Sequence, residues 1–376
     1  MRSLGDILPL RRKETQQDAK RETQWYLFRR KFRSHRLATV SLWILLFLVV
    51  TCVLFPEFFA PYSPRHVFEN QNLPPSRIRF FDEEGRFHLR PFVYGFTQEL
   101  DAETWKRETV VDTSDRRSLR FFVRGDSYRI LSLVPGRLHL FGVDGDQGVF
   151  LFGTDELGRD LFSRTLHATR VSMTIGLVGV LLSTILGLIL GGISGLQGGW
   201  LDGLIQRSID VILSIPTIPL WMALAASVPR NWSPITIYFM ITIIISLIGW
   251  TGLARTVRGK FLSLRKEDFV LAAVGFNAPL SAIIAKHLIP NFLSYVLVSL
   301  TLSVPAMILG ETALSFLGIG LQPPVVSLGV LIKQAQNIQD VTLYPWLLIP
   351  GAFVVVIVLL YNFIGDGLRD AADPYS

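Results

Sequence analysis

The chain has 376 residues, half of them hydrophobic, and a formal net charge of +7. Its single cysteine, Cys52, excludes an intrachain disulfide and a zinc site built on a thiol pair. The apolar residues gather into runs of about 20, the length that spans the hydrocarbon core of a bilayer, so a soluble globular protein is excluded. Unbroken runs favour helices over the alternating pattern of a barrel. The basic excess lies near the ends of these runs, which is typical of membrane topology rather than of nucleic-acid binding.

The N-terminal segment, 1–36, is polar and basic, and the positive-inside rule predicts that it is a cytoplasmic tail. The first apolar run follows at 37–59. It lies behind a long basic segment and has no small-residue cleavage site after it, so we expect a retained transmembrane helix over 37–60 rather than a removed signal peptide.

Residues 61–150 form a long polar segment in which arginines are balanced by acidic residues. Long loops translocate largely regardless of charge, so an external location is compatible with the arginines. Three stretches, 79–89, 119–133 and 138–152, each read as two short strands around a turn. The pattern predicts a small β-rich external insertion, without indicating its role.

Five more apolar runs are expected to span the membrane. They lie at 171–196, 209–228, 235–253, 292–309 and 346–364. Six spans place both termini in the cytoplasm. The loop after the fourth span is rich in Lys and Arg, as expected of a cytoplasmic loop. The loop after the fifth span carries Lys333 as its only basic residue, as expected of an external loop. Residues 151–376 are therefore predicted to be a five-helix core with a cytoplasmic loop at 255–290.

That cytoplasmic loop contains a pattern for two short helices. Glu267 and Asp268 favour a helix N-terminus, Asn277 favours its end, and a second helix is expected over 279–287. Four apolar residues share one face of the first helix at helical spacing: Phe269, Ala272, Ala273 and Phe276. Such a face packs either on the chain's own bundle or in the groove of a partner, and the pattern alone leaves both open.

A second polar segment, 151–164, precedes the second span. Thr154 is predicted to cap a helix whose first turn holds Asp155 and Glu156. Asp155 with Arg159, and Asp160 with Arg164, are spaced as i,i+4 ion pairs. We expect an external helix lying on the mouth of the bundle.

Two features stand out inside the predicted spans. Small residues recur every four positions in the second span, at Ser183, Gly187, Gly191 and Gly195. This pattern allows close helix packing, either within the chain or between subunits. Glu311, at the end of the fifth span, is a functional candidate because charges there are costly, although a position at the interface would leave it solvated.

The cytoplasmic loop resembles the coupling loop of bacterial ABC importer permeases. The adjacent alanines Ala272 and Ala273 match that motif, Asn277 stands where the family has glycine, Leu271 stands where it has glutamate, and Pro290 closes the motif. The resemblance implies that this loop docks on an ATPase subunit. The candidate coupling residues are Glu267, Ala272, Ala273, Gly275, Asn277 and Pro290.

The segment before the second span is similar to a signature of oligopeptide, dipeptide and nickel permeases. The matching residues are Gly153, Thr154, Asp155, Gly158, Arg159, Asp160 and Arg164. Shorter matches follow in the same order at 199–216, 315–329 and 365–374. Together these motifs imply an all-α membrane protein with six transmembrane helices of the ABC importer permease type and a small β-rich external insertion.

The resemblance also implies a function and a set of partners. The chain would be a membrane-spanning permease subunit in the cell inner membrane that translocates peptides or similar small solutes. It would work with a second homologous permease, two ATP-binding subunits, an external solute-binding protein and the surrounding membrane lipid, with no nucleic acid and no cofactor. The sequence has no phosphate-binding loop of the G-x-x-x-x-G-K-[ST] type, so the ATPase is expected on another chain and no enzyme activity is expected here.

Two other functions would require features of a different kind. An ion-coupled secondary transporter or channel subunit should carry inverted repeats and charges in mid-span, and neither stands out in the sequence. A membrane-anchored binding protein working through 61–150 would need only one anchor, which leaves five spans without a role.

Overall fold

The computed structural model describes residues 24–372 apart from several short segments. The residues outside the description are 1–23, 101–106, 131–132, 144–147, 230, 265, 277, 280–281, 284–292 and 373–376. Most of the predicted N-terminal tail therefore lies outside the described residues.

Helices make up most of the described chain. Before the insertion they are α1 (Gln24–Ser34), α2 (Arg36–Leu48, continued as a π-helix over Val49–Leu54) and α3 (Pro56–Phe59). After it come α4 (Leu161–Gln197), α5 (Gly199–Ser214), α6 (Thr217–Ala226), α7 (Pro234–Leu264), α8 (Asp268–Gly275) and α9 (Leu293–Phe316). The chain ends with α10 (Leu328–Lys333), α11 (Ile338–Leu343), a 3-10 turn (Pro345–Leu348) and α12 (Ile349–Ala372).

Five helical segments of the described chain are long and apolar enough to cross a membrane, and a sixth span is formed only if α5 and α6 count together. These two helices meet at an angle of 91°. The break falls at Ile215, whose backbone is extended, because the following Pro216 disfavours helical geometry in the residue before it. The predicted third span, 209–228, is therefore a bent pair rather than one straight helix.

Several helices extend beyond the predicted spans. α4 begins at Leu161 rather than near 171, and α7 continues to Leu264 rather than ending near 253. Hydropathy marks only the part of a helix that lies in hydrocarbon, whereas the backbone hydrogen bonds continue through the polar residues at each end.

The insertion contains two antiparallel sheets, as the sequence predicted in outline. One sheet has the order β1 (Arg79–Phe81), β2 (Phe87–Leu100), β3 (Arg107–Ser118), and the other pairs β4 (Arg120–Ile130) with β5 (Val134–Gly142). The hairpin expected at 79–89 is confirmed. The hairpins expected within 119–133 and 138–152 are wrong, because β4 occupies most of the first stretch and pairs with β5, whose second half lies in the other.

The small residues of α4 pack against α7 of the same chain. A Cβ placed on Gly191 would lie 2.5 Å from the carbonyl oxygen of Ala254, and one on Gly195 would lie 2.9 Å from that of Arg258. Ser183 Oγ donates a hydrogen bond to the carbonyl oxygen of Ser246 at 2.9 Å. The repeat therefore serves packing within the chain, the first of the two uses that the sequence left open.

Replacing Gly191 with Leu is expected to destabilise the purified chain by about 1–3 kcal/mol, because the added side chain cannot enter the α4–α7 contact without moving backbone. The matched control is Gly252→Ala on α7, where an added Cβ would meet nothing within 4 Å. Thermal unfolding in detergent measures both. Equal unfolding temperatures for the Gly191→Leu and Gly252→Ala variants would show that the helices do not pack this closely.

Candidate functional sites at the two ends of the bundle

The segment before α4 is organised around the carboxylate of Asp155, which is fully buried. One oxygen, Oδ1, accepts hydrogen bonds from the backbone N–H groups of Leu157 and Arg159, each at 2.9 Å. The other, Oδ2, accepts from Arg159 Nε at 2.8 Å and from the guanidinium of Arg164. A buried carboxylate is stable only when its charge is paired and hydrogen-bonded, and here two arginines and two amides provide this.

This geometry corrects the predicted external helix. Residues 153–160 form a turn closed by a bridge between Thr154 and Asp160, and the helix begins only at Leu161. Asp160, not Thr154, is the N-cap, and it accepts a hydrogen bond from the Ser163 backbone N–H at 2.8 Å. Burial raises the pKa of Asp160 to about 6, since the hydrogen bonds from Ser163 offset only part of the lost solvation.

Of the two predicted ion pairs, the one between Asp155 and Arg159 is confirmed. The other is wrong: Arg164 pairs with Asp155 instead of Asp160. Since Asp155 and Arg164 are buried, these are not surface pairs. Removing one partner of a buried ion pair destabilises a protein far more than removing one partner of a surface pair, because the remaining charge is buried without compensation.

The two signature glycines allow another part of the chain to approach. Gly153 and Gly158 both have positive φ values, +79° and +73°. A Cβ on Gly153 would lie 2.5 Å from the carbonyl oxygen of Leu73, and one on Gly158 would collide with that of Phe68. Only glycine suits both the backbone conformation and the close contact.

The approaching segment, which we call the strap, comprises residues 66–76. Its Phe68 N–H donates to the carbonyl of Gly158 at 2.9 Å, and its Leu73 N–H donates to Thr154 Oγ1 at 2.8 Å. Trp346, just before α12, donates its indole N–H to the carbonyl of Thr154 at 3.1 Å. The signature loop thus joins the connection after the first span to the start of the last helix. These backbone partners carry no sequence pattern, so the sequence did not reveal them.

Replacing Asp155 with Asn is expected to destabilise the chain by about 3–5 kcal/mol, because two arginines lose their shared buried anion. The matched control is Glu156→Gln, the same loss of charge at a neighbouring exposed residue. Thermal unfolding gives the stability, and limited proteolysis reports release of the strap. Equal stability and equal proteolysis of the two variants would contradict the anchoring role of Asp155.

Glu311 lies at the same end of the bundle and is fully buried rather than solvated. Its carboxylate accepts hydrogen bonds from Ser172 Oγ on α4 at 2.7 Å and from Ser315 Oγ on α9 at 2.8 Å. Ser172 Oγ in turn accepts the backbone N–H of Leu328 at 3.1 Å. The carboxylate therefore ties α4, α9 and the start of α10 together.

At the opposite end, the structure confirms the short helix predicted in the cytoplasmic loop as α8. Its inner side carries Val270 and Ala273, 2% and 9% exposed, which pack with Val257 and Phe261 of α7 and Val296 of α9. Because Ala273 is held by the chain's own bundle, it is not available to a partner.

The outer side of this helix is apolar and uncovered in the chain. Leu271 is 55% exposed and Phe276 is 88% exposed, with Ala272 and Gly275 between them. The prediction that Ala273 and Phe276 share one face with Ala272 is therefore wrong: Ala273 faces the bundle, whereas Ala272 and Phe276 are exposed. We call the four exposed residues, Leu271, Ala272, Gly275 and Phe276, the α8 outer face.

The remaining candidates of this loop are only partly described. Glu267 precedes α8, and its carbonyl accepts the backbone N–H groups of Val270 and Leu271 at 3.0 and 3.1 Å. Asn277 and Pro290 lie outside the described residues, as does most of the predicted second helix.

An ion pair that the sequence did not predict joins three other helices. Arg258 on α7 donates from Nε and Nη2 to the two carboxylate oxygens of Asp202 on α5, each at 2.6 Å. Ser194 Oγ at the end of α4 also donates to Asp202, at 2.5 Å. The cluster joins the ends of α4, α5 and α7. A bidentate pair of this kind fixes geometry as well as charge.

Two family descriptions match this chain. Residues 183–375 match the binding-protein-dependent transport system inner membrane component. The chain belongs to this family. Residues 23–75 match the N-terminal transmembrane domain of oligopeptide transport permease C, so the strap lies almost wholly within a matched segment, before β1 begins. This match confirms the resemblance to ABC importer permeases. It gives no support to an ion-coupled transporter or channel.

Individual relatives agree with the family. This chain is 43% identical over 229 residues to the oligopeptide transport system permease protein OppC of Haemophilus influenzae. The match covers 61% of this chain and 71% of the relative. The chain is 31% identical over 348 residues to the dipeptide transport system permease protein DppC of Bacillus subtilis, covering 92% and 84%. A solved inward-facing MetNI methionine ABC transporter chain matches at 17% identity and a TM-score of 0.42, over 56% of this chain and 96% of that chain, which is too distant to support an argument.

Proposed function

We propose that this protein is one permease subunit of an ATP-driven importer for peptides or similar small solutes. Its membership of a binding-protein-dependent transport family and the peptide-permease names of its relatives support this assignment. The observation that carries the coupling part of the proposal is the α8 outer face, which leaves Phe276 88% exposed beside a buried inner side. An exposed apolar helix face of this kind suits a groove on a partner.

Coupling to ATP follows from how α8 is attached. Its inner side is packed against α7 and α9, so a partner that moves α8 also moves the ends of these helices. α7 is in turn packed against α4 along the small-residue contact. A transport cycle requires the ATP-binding subunits to hold α8 differently in their two states, because only differential binding shifts a conformational equilibrium.

The proposed assembly contains this chain, a second homologous permease, two ATP-binding subunits and an external solute-binding protein. The basic cytoplasmic loop and the nearly uncharged loop before the last span favour an orientation with α8 and both termini in the cytoplasm and the insertion outside. In this arrangement the chain performs no chemistry itself. It contributes the membrane pathway and the coupling surface.

Replacing Phe276 with Glu is expected to lower ATP-dependent peptide uptake by about tenfold or more, because a charge would have to be desolvated in the docked interface. The matched control is Phe87→Glu, an equally apolar side chain that is 60% exposed on the insertion. Uptake into proteoliposomes containing the complete transporter measures both. Normal uptake by the Phe276→Glu variant would contradict docking through this face.

Substitutions at Ala273 and Phe276 distinguish an effect on folding from an effect on docking. Because its side chain faces the bundle, Ala273→Glu is expected to destabilise the isolated chain by about 1–3 kcal/mol, whereas Phe276→Glu leaves that stability unchanged. Thermal unfolding of the chain without partners measures the difference. If the two variants melt alike, the two sides of α8 are not as assigned.

A further inference from the structure

The β4–β5 ribbon of the insertion carries an exposed aromatic pair. Phe121 and Phe122 are 66% and 62% exposed. Phe122 also has a φ value of +57°, in the left-handed region that a bulky residue rarely adopts. Exposed large apolar groups held in an unfavourable backbone conformation point to a function in binding.

The position of this pair relative to the membrane follows from the first span. β4 and β5 both contact α3, and the ring of Phe122 lies 6.4 Å from that of Phe58. Phe58 comes directly after Glu57, whose carboxylate pairs with Arg170 of α4 at 2.5 and 2.9 Å. Apolar runs lie on the membrane side of both members of this pair, so the pair marks the outer edge of the hydrocarbon. The headgroup layer beyond that edge is about 5–7 Å thick. The 6.4 Å separation between the Phe58 and Phe122 rings is short enough for Phe122 to reach this layer.

The aromatic pair continues an exposed apolar surface of the first span. On the first span, Trp43, Phe47 and Phe55 are 66%, 63% and 39% exposed, and only 28% of its most apolar window is buried. The exposed apolar surface runs along this helix, past the half-buried Phe58, to Phe122. Segments that lie in the membrane interface bury Trp, Phe and Leu side chains at the boundary between headgroups and acyl chains and carry Lys and Arg on their polar face.

The charges of the ribbon suit the same partner. Exposed arginines are distributed along both strands: Arg120, Arg124, Arg129 and Arg137. Guanidinium groups bind phosphate oxygens through paired hydrogen bonds, so phospholipid headgroups complement both the aromatic and the basic side chains.

We propose that the β4–β5 ribbon rests on the outer leaflet of the bilayer, with Phe121 and Phe122 in the headgroup layer and the ribbon arginines bound to lipid phosphates. Contact with lipid on this side fixes the insertion beside the first span. This proposal rests on the orientation proposed above, with the insertion outside the cell, but does not depend on the substrate or on ATP coupling.

The test places a fluorescent label at Phe122 in the full-length chain. Cys52→Ala removes the only cysteine, and Phe122→Cys then takes a bimane label. The matched control is Leu89→Cys, an 86% exposed apolar residue on β2 of the other sheet. The chain is reconstituted in vesicles of phosphatidylcholine and phosphatidylglycerol that contain lipids with a nitroxide on the headgroup or high on the acyl chain.

The label at position 122 is expected to be quenched several-fold more strongly by the nitroxide lipids than the label at position 89, and to be shielded from iodide in solution. Phe121→Cys provides a second site in case the residue at 122 perturbs the ribbon. Equal quenching of the labels at positions 121, 122 and 89 would overturn the proposal. So would shielding of the Phe122 label that appears only when the solute-binding protein is added, since that would assign the surface to a protein.

Discussion

The close contact between α4 and α7 is the interaction on which the rest of the bundle depends. Gly191 and Gly195 bring α4 within reach of the α7 backbone, Gly187 packs against the Leu253 side chain, and Ser183 adds a hydrogen bond across the contact. Lipid tails offer helices no hydrophobic reason to associate, so tight packing between small residues and buried hydrogen bonds must hold the bundle together. This makes α4 and α7 one mechanical unit that reaches from one end of the bundle to the other.

Each end of that unit carries one of the candidate sites. At one end, the turn before α4 binds the strap and Trp346 around Asp155, and Glu311 ties α4 to α9. At the other end, Asp202 joins α4, α5 and α7, and the inner side of α8 packs on α7. Under the proposed coupling, a displacement of α8 would reach the opposite end through packed side chains.

The sequence predicted the features that depend on a local pattern of residues. It did not predict ion-pair partners or side-chain orientations that depend on contacts with distant segments. The apolar runs, the β-rich insertion and the helix at 268–275 all follow from periodicity, and the structure contains them. The i,i+4 spacing suggested that Arg164 pairs with Asp160, but Asp160 caps α4 and the buried Asp155 attracts the guanidinium instead. Likewise, spacing could not show that Ala273 faces inward, because that depends on where α7 and α9 stand beside α8.

The central claim, that α8 docks on an ATP-binding subunit, is tested most directly by cross-linking. Phe276 is replaced by Cys in the Cys52→Ala background, and the complete transporter is treated in membranes with a thiol-directed photo-crosslinker. The account predicts a product between this chain and an ATP-binding subunit, with a yield that changes when ATP is added. Failure to obtain that product from an assembled transporter, or labelling of the same cysteine by an impermeant maleimide from outside the cell, would contradict it.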